Sequence, residues 1–390
     1  MRCLILFLTA LVCASTGVYA QDGGGGRSPI FDLQQAGQLP IAFIPGGALE
    51  LGPSVWDLAQ DADGLIYAGA TNGIMVYDGV RWTAMAPRML VRSLAAAPDG
   101  RMYVGASGYF GYLEPDQRGA LVFHSLMEHV PDSARSFNDV WSTVAHEGAI
   151  VFQTLSHMMR WDGEAMTIIP FERPEDRVFT LTSIQGQLLG ATRRGVVEVV
   201  PGAPSSAWPS LTDAPEPGDG LVEIIDGGAG HIITVSLGGG MQRCTLAPPV
   251  SCTPWAAELS EAFSAVKPFA AQALHSGAVA VGFDGHGIAL LHPDGTLLRW
   301  LKNADGLGSG EVMHLFEDRD GILWAGLFNG LAQVHVHTPL TVFDAPEGIE
   351  SLVVDVAEHE GMLYASTQVG LRRFTQQGER ARFEEVPGAN

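Results

Sequence analysis

Few residues of this chain stand at spacings that chemistry requires. Gly105-Ala106-Ser107-Gly108 lacks the G-x-S-x-G spacing of a nucleophile elbow, so Ser107 reads as a strand-end serine. Gly306-Leu307-Gly308-Ser309-Gly310 has a phosphate-loop flavour but the wrong spacing and no following lysine. Asp61-Ala62-Asp63-Gly64 and Asp318-Arg319-Asp320-Gly321 open like calcium loops, yet the later carboxylates and closing glutamate are missing, and turn chemistry accounts for them. His335 and His337 alternate on an expected strand and would share one face, with no third metal ligand nearby. Glu384 and Glu385 are adjacent, so a strand would point them to opposite faces, which a glycosidase pair cannot use. No catalytic, cofactor or metal constellation is expected. Cys244 and Cys252, eight apart, are the one covalent pair to expect once Cys3 and Cys13 leave with a leader.

What carries these residues is a repeat. A turn glycine recurs as Gly64, Gly100, Gly148, Gly186, Gly230, Gly277, Gly321 and Gly361. Two residues after each is an apolar position, from Ile66 to Leu363. Nine after it stands a second glycine in five units: Gly73, Gly195, Gly239, Gly330 and Gly370. Within Val55–Met85, four short apolar runs are separated by the turn signals DADG, TNG and YDG, which spells an antiparallel four-strand meander. A unit of about 40 residues with four strands is the size of a propeller blade. One such sheet cannot cover both its faces, whereas blades stacked around an axis cover one another. The small residues five after the turn glycine (Gly69, Gly105, Ala191, Gly282, Gly326) suit close sheet-to-sheet approach. The fold class is therefore all-β, a propeller of four-stranded antiparallel blades, seven to eight in number. Residues 31–341 make blades one to seven. Residues 342–390 are an eighth repeat, either the last blade of the ring or the first of a second propeller. Leu39–Ile44 reads as an outermost strand without a blade of its own, available to lock the circle.

Arg2, the apolar run Leu4–Val12 and Val18-Tyr19-Ala20 read as a secretory signal cleaved after Ala20, so residues 1–20 leave and 21–30 form a glycine-rich linker. Later apolar runs are too short to span a membrane. With a net charge of −21 and only two lysines, Lys267 and Lys302, the chain repels phosphate backbones, which sets nucleic acid aside as a partner.

DADGLIYAGATNGIMVYDG and DRDGILWAGLFNGLAQV resemble the two-component regulator propeller repeat. Asp61, Gly64, Tyr67, Gly69 and Gly73 carry the likeness in the first unit, and Asp318, Gly321, Trp324, Gly326 and Gly330 in the seventh. The runs YVGASGYFGYLEPDQRGALVFHSL and FNDVWSTVAHEGAIVFQTLSHMMRWDG are similar to ligand-binding sensor regions of Bacteroidetes-like signalling proteins. The resemblance spans about Val55 to Phe374. It implies a propeller outside the cytoplasmic membrane, periplasmic or secreted, that binds a ligand and passes the signal to a kinase, cyclase or DNA-binding output. No such output motif lies in these residues, so the chain is expected to be the non-catalytic input part of a larger sensor, or a secreted remnant. The partners expected are a small polar ligand or glycan, and a second copy or sensor partner. Loops between second and third strands would gather Asn72, Tyr109, Phe110, Arg193, Arg194, Asp284, His286, Phe328 and Asn329 at one rim as the ligand-binding set. Trp56, Trp141 and Trp324 are expected between blades. An envelope scaffold, or a secreted lyase or glycosidase with acid and base groups converging in the central channel, are the other readings.

Overall fold

The computed structural model describes residues 37–49, 52–85, 88–213, 220–338, 340–345, 347–377 and 380–389. The expected signal segment and the glycine-rich linker lie outside them. The chain divides into two units, Gln38–Val342 and Phe343–Asn390.

Gln38–Val342 holds seven antiparallel sheets. Their first strands are Val55–Gln60, Val91–Ala96, Ser142–His146, Thr180–Ile184, Leu221–Gly228, Pro268–Ala273 and Val312–Glu317. Each of these packs on its counterpart in the next sheet, and the first packs on the seventh, so the ring closes on itself. The seventh blade takes its fourth strand from the start of the chain. Ile41–Pro45 pairs antiparallel with Gly330–Val334, with Ile41 opposite Val334 and Pro45 opposite Gly330. The clasp continues through the Gln38 and Val342 amides, each donating to the other's carbonyl at 2.8 and 2.9 Å. At the same end of the strands, Arg319 donates to the Asp61 and Ala62 carbonyls, and its amide donates to Gln60 Oε1 at 3.0 Å.

The repeated signature has a physical basis in the turns between first and second strands. Asp318 Oδ1 accepts the Asp320 and Ile322 amides at 3.0 and 2.9 Å, while its Oδ2 accepts the indole N–H of Trp324 at 2.7 Å. Asp61 does the same with the Asp63 and Leu65 amides and the Tyr67 hydroxyl. These carboxylates are thus occupied by their own turns. The turn glycines all take positive φ, 94° at Gly64 and 78° at Gly321, where a side chain would be strained.

Adjacent blades interlock through the small residue of the second strand. A Cβ on Gly69 would fall 2.6 Å from a methyl of Val91, the first residue of the next blade's inner strand. Gly105 stands in the same relation to Val140, Gly282 to Val312, and Gly326 to Val55 across the closing seam. The fourth blade departs from the plan. It has three full strands, and in the place of the fourth Pro209–Leu211 makes a single bridge to Val197, following a 3₁₀ turn at Ser205–Ala207 and the buried Trp208. In the fifth blade Cys244 and Cys252 sit opposite one another in paired strands and form a disulfide.

The second unit is one four-stranded sheet, Val353–His359, Met362–Thr367, Gly370–Gln377 and Arg380–Glu385. Phe343, Phe374 and Phe383 meet edge-on within it, with centroids 5.5 to 5.8 Å apart. Among the described residues no helix is long and apolar enough to cross a membrane.

Candidate functional site

A cavity of about 830 Å³ runs along the ring axis, lined by the inner strands of all seven blades. Its mouth is built by a repeated irregularity. Each inner strand bulges at its start. The register skips Trp56, Arg92, Val222, Phe269 and Met313 in five blades. In the third blade Trp141 and Ser142 both face Gln153, and in the fourth Phe179 and Thr180 both face Ala191. A bulge breaks the two-residue alternation and re-aims one side chain. Here it turns Trp56, Arg92, Trp141, Phe179, Val222, Phe269 and Met313 into the cavity as a collar. The guanidinium of Arg92 lies 4.0 Å from the Trp56 ring centroid and 4.6 Å from that of Trp141, and Asp139 holds its outer edge at 3.3 Å. Arg92 thereby pins two indoles that come from different blades. Trp141, Phe179 and Phe269 are each about two-fifths exposed (39%, 38% and 44%), a set of apolar faces open to the mouth.

Below the collar the lining is polar. Asp57 Oδ2 accepts the Leu94 amide, Ser93 donates to the Val140 carbonyl, and Ser142 accepts the Leu181 amide, each stapling its blade to the next. Asp57 Oδ1 also lies 3.0 Å from His314 Nε2. Glu223 occupies the corresponding place in the fifth blade and accepts the Ile224 amide at 3.4 Å. Burial pushes the Glu223 carboxyl up to about 7, against the opposing pull of His314. For His314, burial favours the neutral ring, but the charge and hydrogen bond of Asp57, with the charge of Glu223, prevail and raise it.

A pH dependence follows. An acid with a raised folded pKa stabilises fully below its unfolded value and loses that contribution as pH rises through the folded one. A histidine raised by a partner loses stability in the same direction. Between pH 5 and 8 the protein should therefore lose roughly 2 kcal/mol, less than the full shift implies because the channel is open to water. Glu223→Gln should flatten most of this slope, as read by urea unfolding at the two pH values.

The nine residues expected at the rim all fall on second-to-third-strand turns or at their edges, at the end of the ring where the collar lies. None of them lines the cavity. Asn72, Tyr109, Arg193, Asp284, His286, Phe328 and Asn329 are exposed around it. Phe110 is not presented at all. It is wholly buried and packs on Phe152 at 4.4 Å, because it begins to alternate inward as the strand starts. Arg194 is tied 2.9 Å from the buried Asp176 and donates to the Ser205 carbonyl at 3.1 Å, which draws it inward from the rim. Trp324 fills the interior as expected, whereas Trp56 and Trp141 stand in the channel mouth because of their bulges. His335 and His337 do not share a strand face, since the strand ends at Val334, and His337 is held by the buried Glu317 at 2.7 Å. Among the described residues no His, Cys, Asp and Glu group could hold a metal ion.

The two ends of the ring differ in chemistry. First-to-second and third-to-fourth turns share one end, and they carry Asp61, Asp63, Asp78, Asp99, Asp116, Asp162, Asp294, Asp318 and Asp320. The collar end instead exposes Tyr109, Leu155, Leu237 and Phe328 beside the collar aromatics.

The two-component regulator propeller family matches residues 306–329, the inner part of the seventh blade. An extracellular domain described as part of a hybrid two-component system from B. thetaiotaomicron superposes with a TM-score of 0.62 at 14% identity, over 91% of this chain and 48% of that one. A second such domain from the same organism gives 0.67 at 13% identity, over 90% and 50%. A virginiamycin B lyase from Staphylococcus aureus gives 0.59 at 13% identity, over 76% of this chain and 99% of that one. No curated protein matches the sequence. The chain spans about half the length of the two extracellular domains. These likenesses establish the fold as a β-propeller that carries a two-component regulator repeat.

Proposed function

We propose that this chain is the extracytoplasmic, ligand-sensing input propeller of a two-component-type signalling system, and that its ligand sits at the mouth of the axial channel. The collar carries the reading. Aromatic faces from separate blades converge above a lining of serine and threonine hydroxyls, Gln60, Gln272 and carboxylates. Flat apolar faces over hydrogen-bonding groups match a ring that is apolar on its face and hydroxylated at its edge, which is a sugar. The rim residues Asn72, Tyr109, Asp284, His286, Phe328 and Asn329 would meet the parts of a glycan that project beyond the mouth. A ligand that bridges several blades favours one ring packing over another, and a partner protein or second copy reads the difference. A periplasmic or secreted place agrees with the signal-like N-terminus and the disulfide.

The test is calorimetric titration and thermal shift of the purified chain against a panel of neutral and charged oligosaccharides. A rise of several degrees with at least one glycan is expected. No shift across the panel would remove the reading. The Asp57–His314 pair, with Glu223 on the same lining, also favours a lyase or hydrolase in the same channel. That second reading is distinguished by product release from the glycan that binds.

A further inference from the structure

We propose that the ligand of this channel carries an ammonium group, seated against the Glu223 carboxylate below the aromatic collar. The proposal rests on the channel mouth being the ligand site and names the chemical class that the site selects.

At the level below the collar, polar side chains are spent on blade-to-blade staples. Asp57, Ser93 and Ser142 each bond to the inner strand that follows. Glu223 stands at the same level and bonds instead to the amide next to it on its own strand. The titratable groups that line the cavity are Asp57, Arg92, Glu223, Asp226 and His314. Arg92 is neutralised by Asp139 and clamped between the indoles. His314 is paired with Asp57. Asp226 accepts from Gln185 and the Gly228 amide. Every cation of the channel therefore has a nearer anion than Glu223. The aromatic faces above it favour cations, as the seat of Arg92 already displays. The net charge of −21 draws a cation in from solution. A metal ion is the poorer occupant, since no group of ligating side chains converges among the described residues. An organic ammonium needs one carboxylate and aromatic walls, which is what the channel supplies.

Such a ligand must meet Glu223 ionised. With that carboxyl held up to about 7 by burial, binding displaces its proton at acidic pH. For a permanent cation, affinity should rise about tenfold between pH 6 and pH 8. Loss of the His314 proton acts in the same direction.

The experiment titrates the full chain with two trisaccharides of one backbone. One carries N,N,N-trimethylammonium groups on its glucosamine rings, and the other carries neutral N-acetyl groups. The cationic probe is expected to bind at least tenfold tighter than the neutral one at pH 8, and to lose that advantage at pH 6. In Glu223→Gln, checked for folding by circular dichroism and a cooperative melt, the preference should vanish and the pH dependence should shrink to the smaller part that His314 contributes. Equal binding of the two probes, or a cationic preference and a tenfold pH dependence that persist undiminished in Glu223→Gln, overturns the ammonium assignment while leaving the mouth as a sugar site. If neither probe binds at either pH, the assignment falls. If no glycan of the wider panel binds either, the channel-mouth reading falls with it.

Discussion

Removal of Ile41–Pro45 should cost the ring about 4 kcal/mol, a large share of the 5–15 kcal/mol that holds a domain folded. The segment supplies the fourth strand of the seventh blade from a position some three hundred residues earlier in the chain. Leu39, Ile41 and Phe43 pack on the core shared by the sixth and seventh blades, beside Leu301, Leu307, Leu315 and Val334. Each such side chain returns roughly 1–2 kcal/mol on burial, and the ladder adds about 1 kcal/mol per hydrogen bond, less the entropy of ordering the segment. Without it, Gly330–Val334 becomes an open edge that invites pairing with other chains. Gly308 would also lose the Phe43 ring that lies on it. The expected signature is a lower urea midpoint, protease cleavage within Val312–Val334, and concentration-dependent aggregation. Phe43→Ala should give about half the loss without the open edge. An unchanged midpoint after deletion would show that the ring does not depend on its clasp. Val80→Asp, at a site 88% exposed on the third-to-fourth turn of the first blade, should be silent and serves as the control.

The architecture was legible because its constraints are local. A hairpin turn that needs positive φ leaves a glycine in the sequence, and a second strand squeezed between sheets leaves a small residue five positions on. Both recur with the blade period. The closing strand was legible for a related reason, since Ile41, Phe43 and Ile44 form an apolar run with no turn partner of its own. The site was less so. Simple alternation sends Trp56 to the blade face, and only a bulge sends it to the axis. Bulges depend on how the inner strand meets its neighbours, which no single unit of sequence displays. The signal was nevertheless present as an offset. Trp56, Arg92, Val222, Phe269 and Met313 each stand eight residues ahead of their turn glycine, and Trp141 and Phe179 stand seven ahead. Arg194 is drawn from the rim by its ion pair with the buried Asp176, which lies in the connection that precedes the fourth blade, a contact that the repeat pattern does not display.

Replacement of both Trp56 and Trp141 by alanine should weaken glycan binding by at least a hundredfold while leaving the ring folded. Stacking of a ring on one indole contributes about 1–2 kcal/mol, so the pair accounts for two orders of magnitude. Both side chains are partly exposed at the mouth, so the interblade core survives their loss. The three-layer stack makes the effect non-additive. Arg92 lies between the indoles, and loss of either one frees its guanidinium to swing toward Asp139 alone. Each single variant should therefore cost more than half of the double variant in free energy. Arg92→Ala should weaken binding through disorder of the indoles, by about tenfold, although Arg92 itself need not touch the ligand. Arg92→Lys should recover little of this, because an ammonium cannot lie flat between two rings. Calorimetric titration of the five variants, with melting curves alongside, tests the argument. If Trp56→Ala and Trp141→Ala bind as the unaltered protein does, the collar is a structural ring and the ligand sits elsewhere. If the losses add simply, Arg92 does not couple the two indoles, and the mouth is two independent platforms.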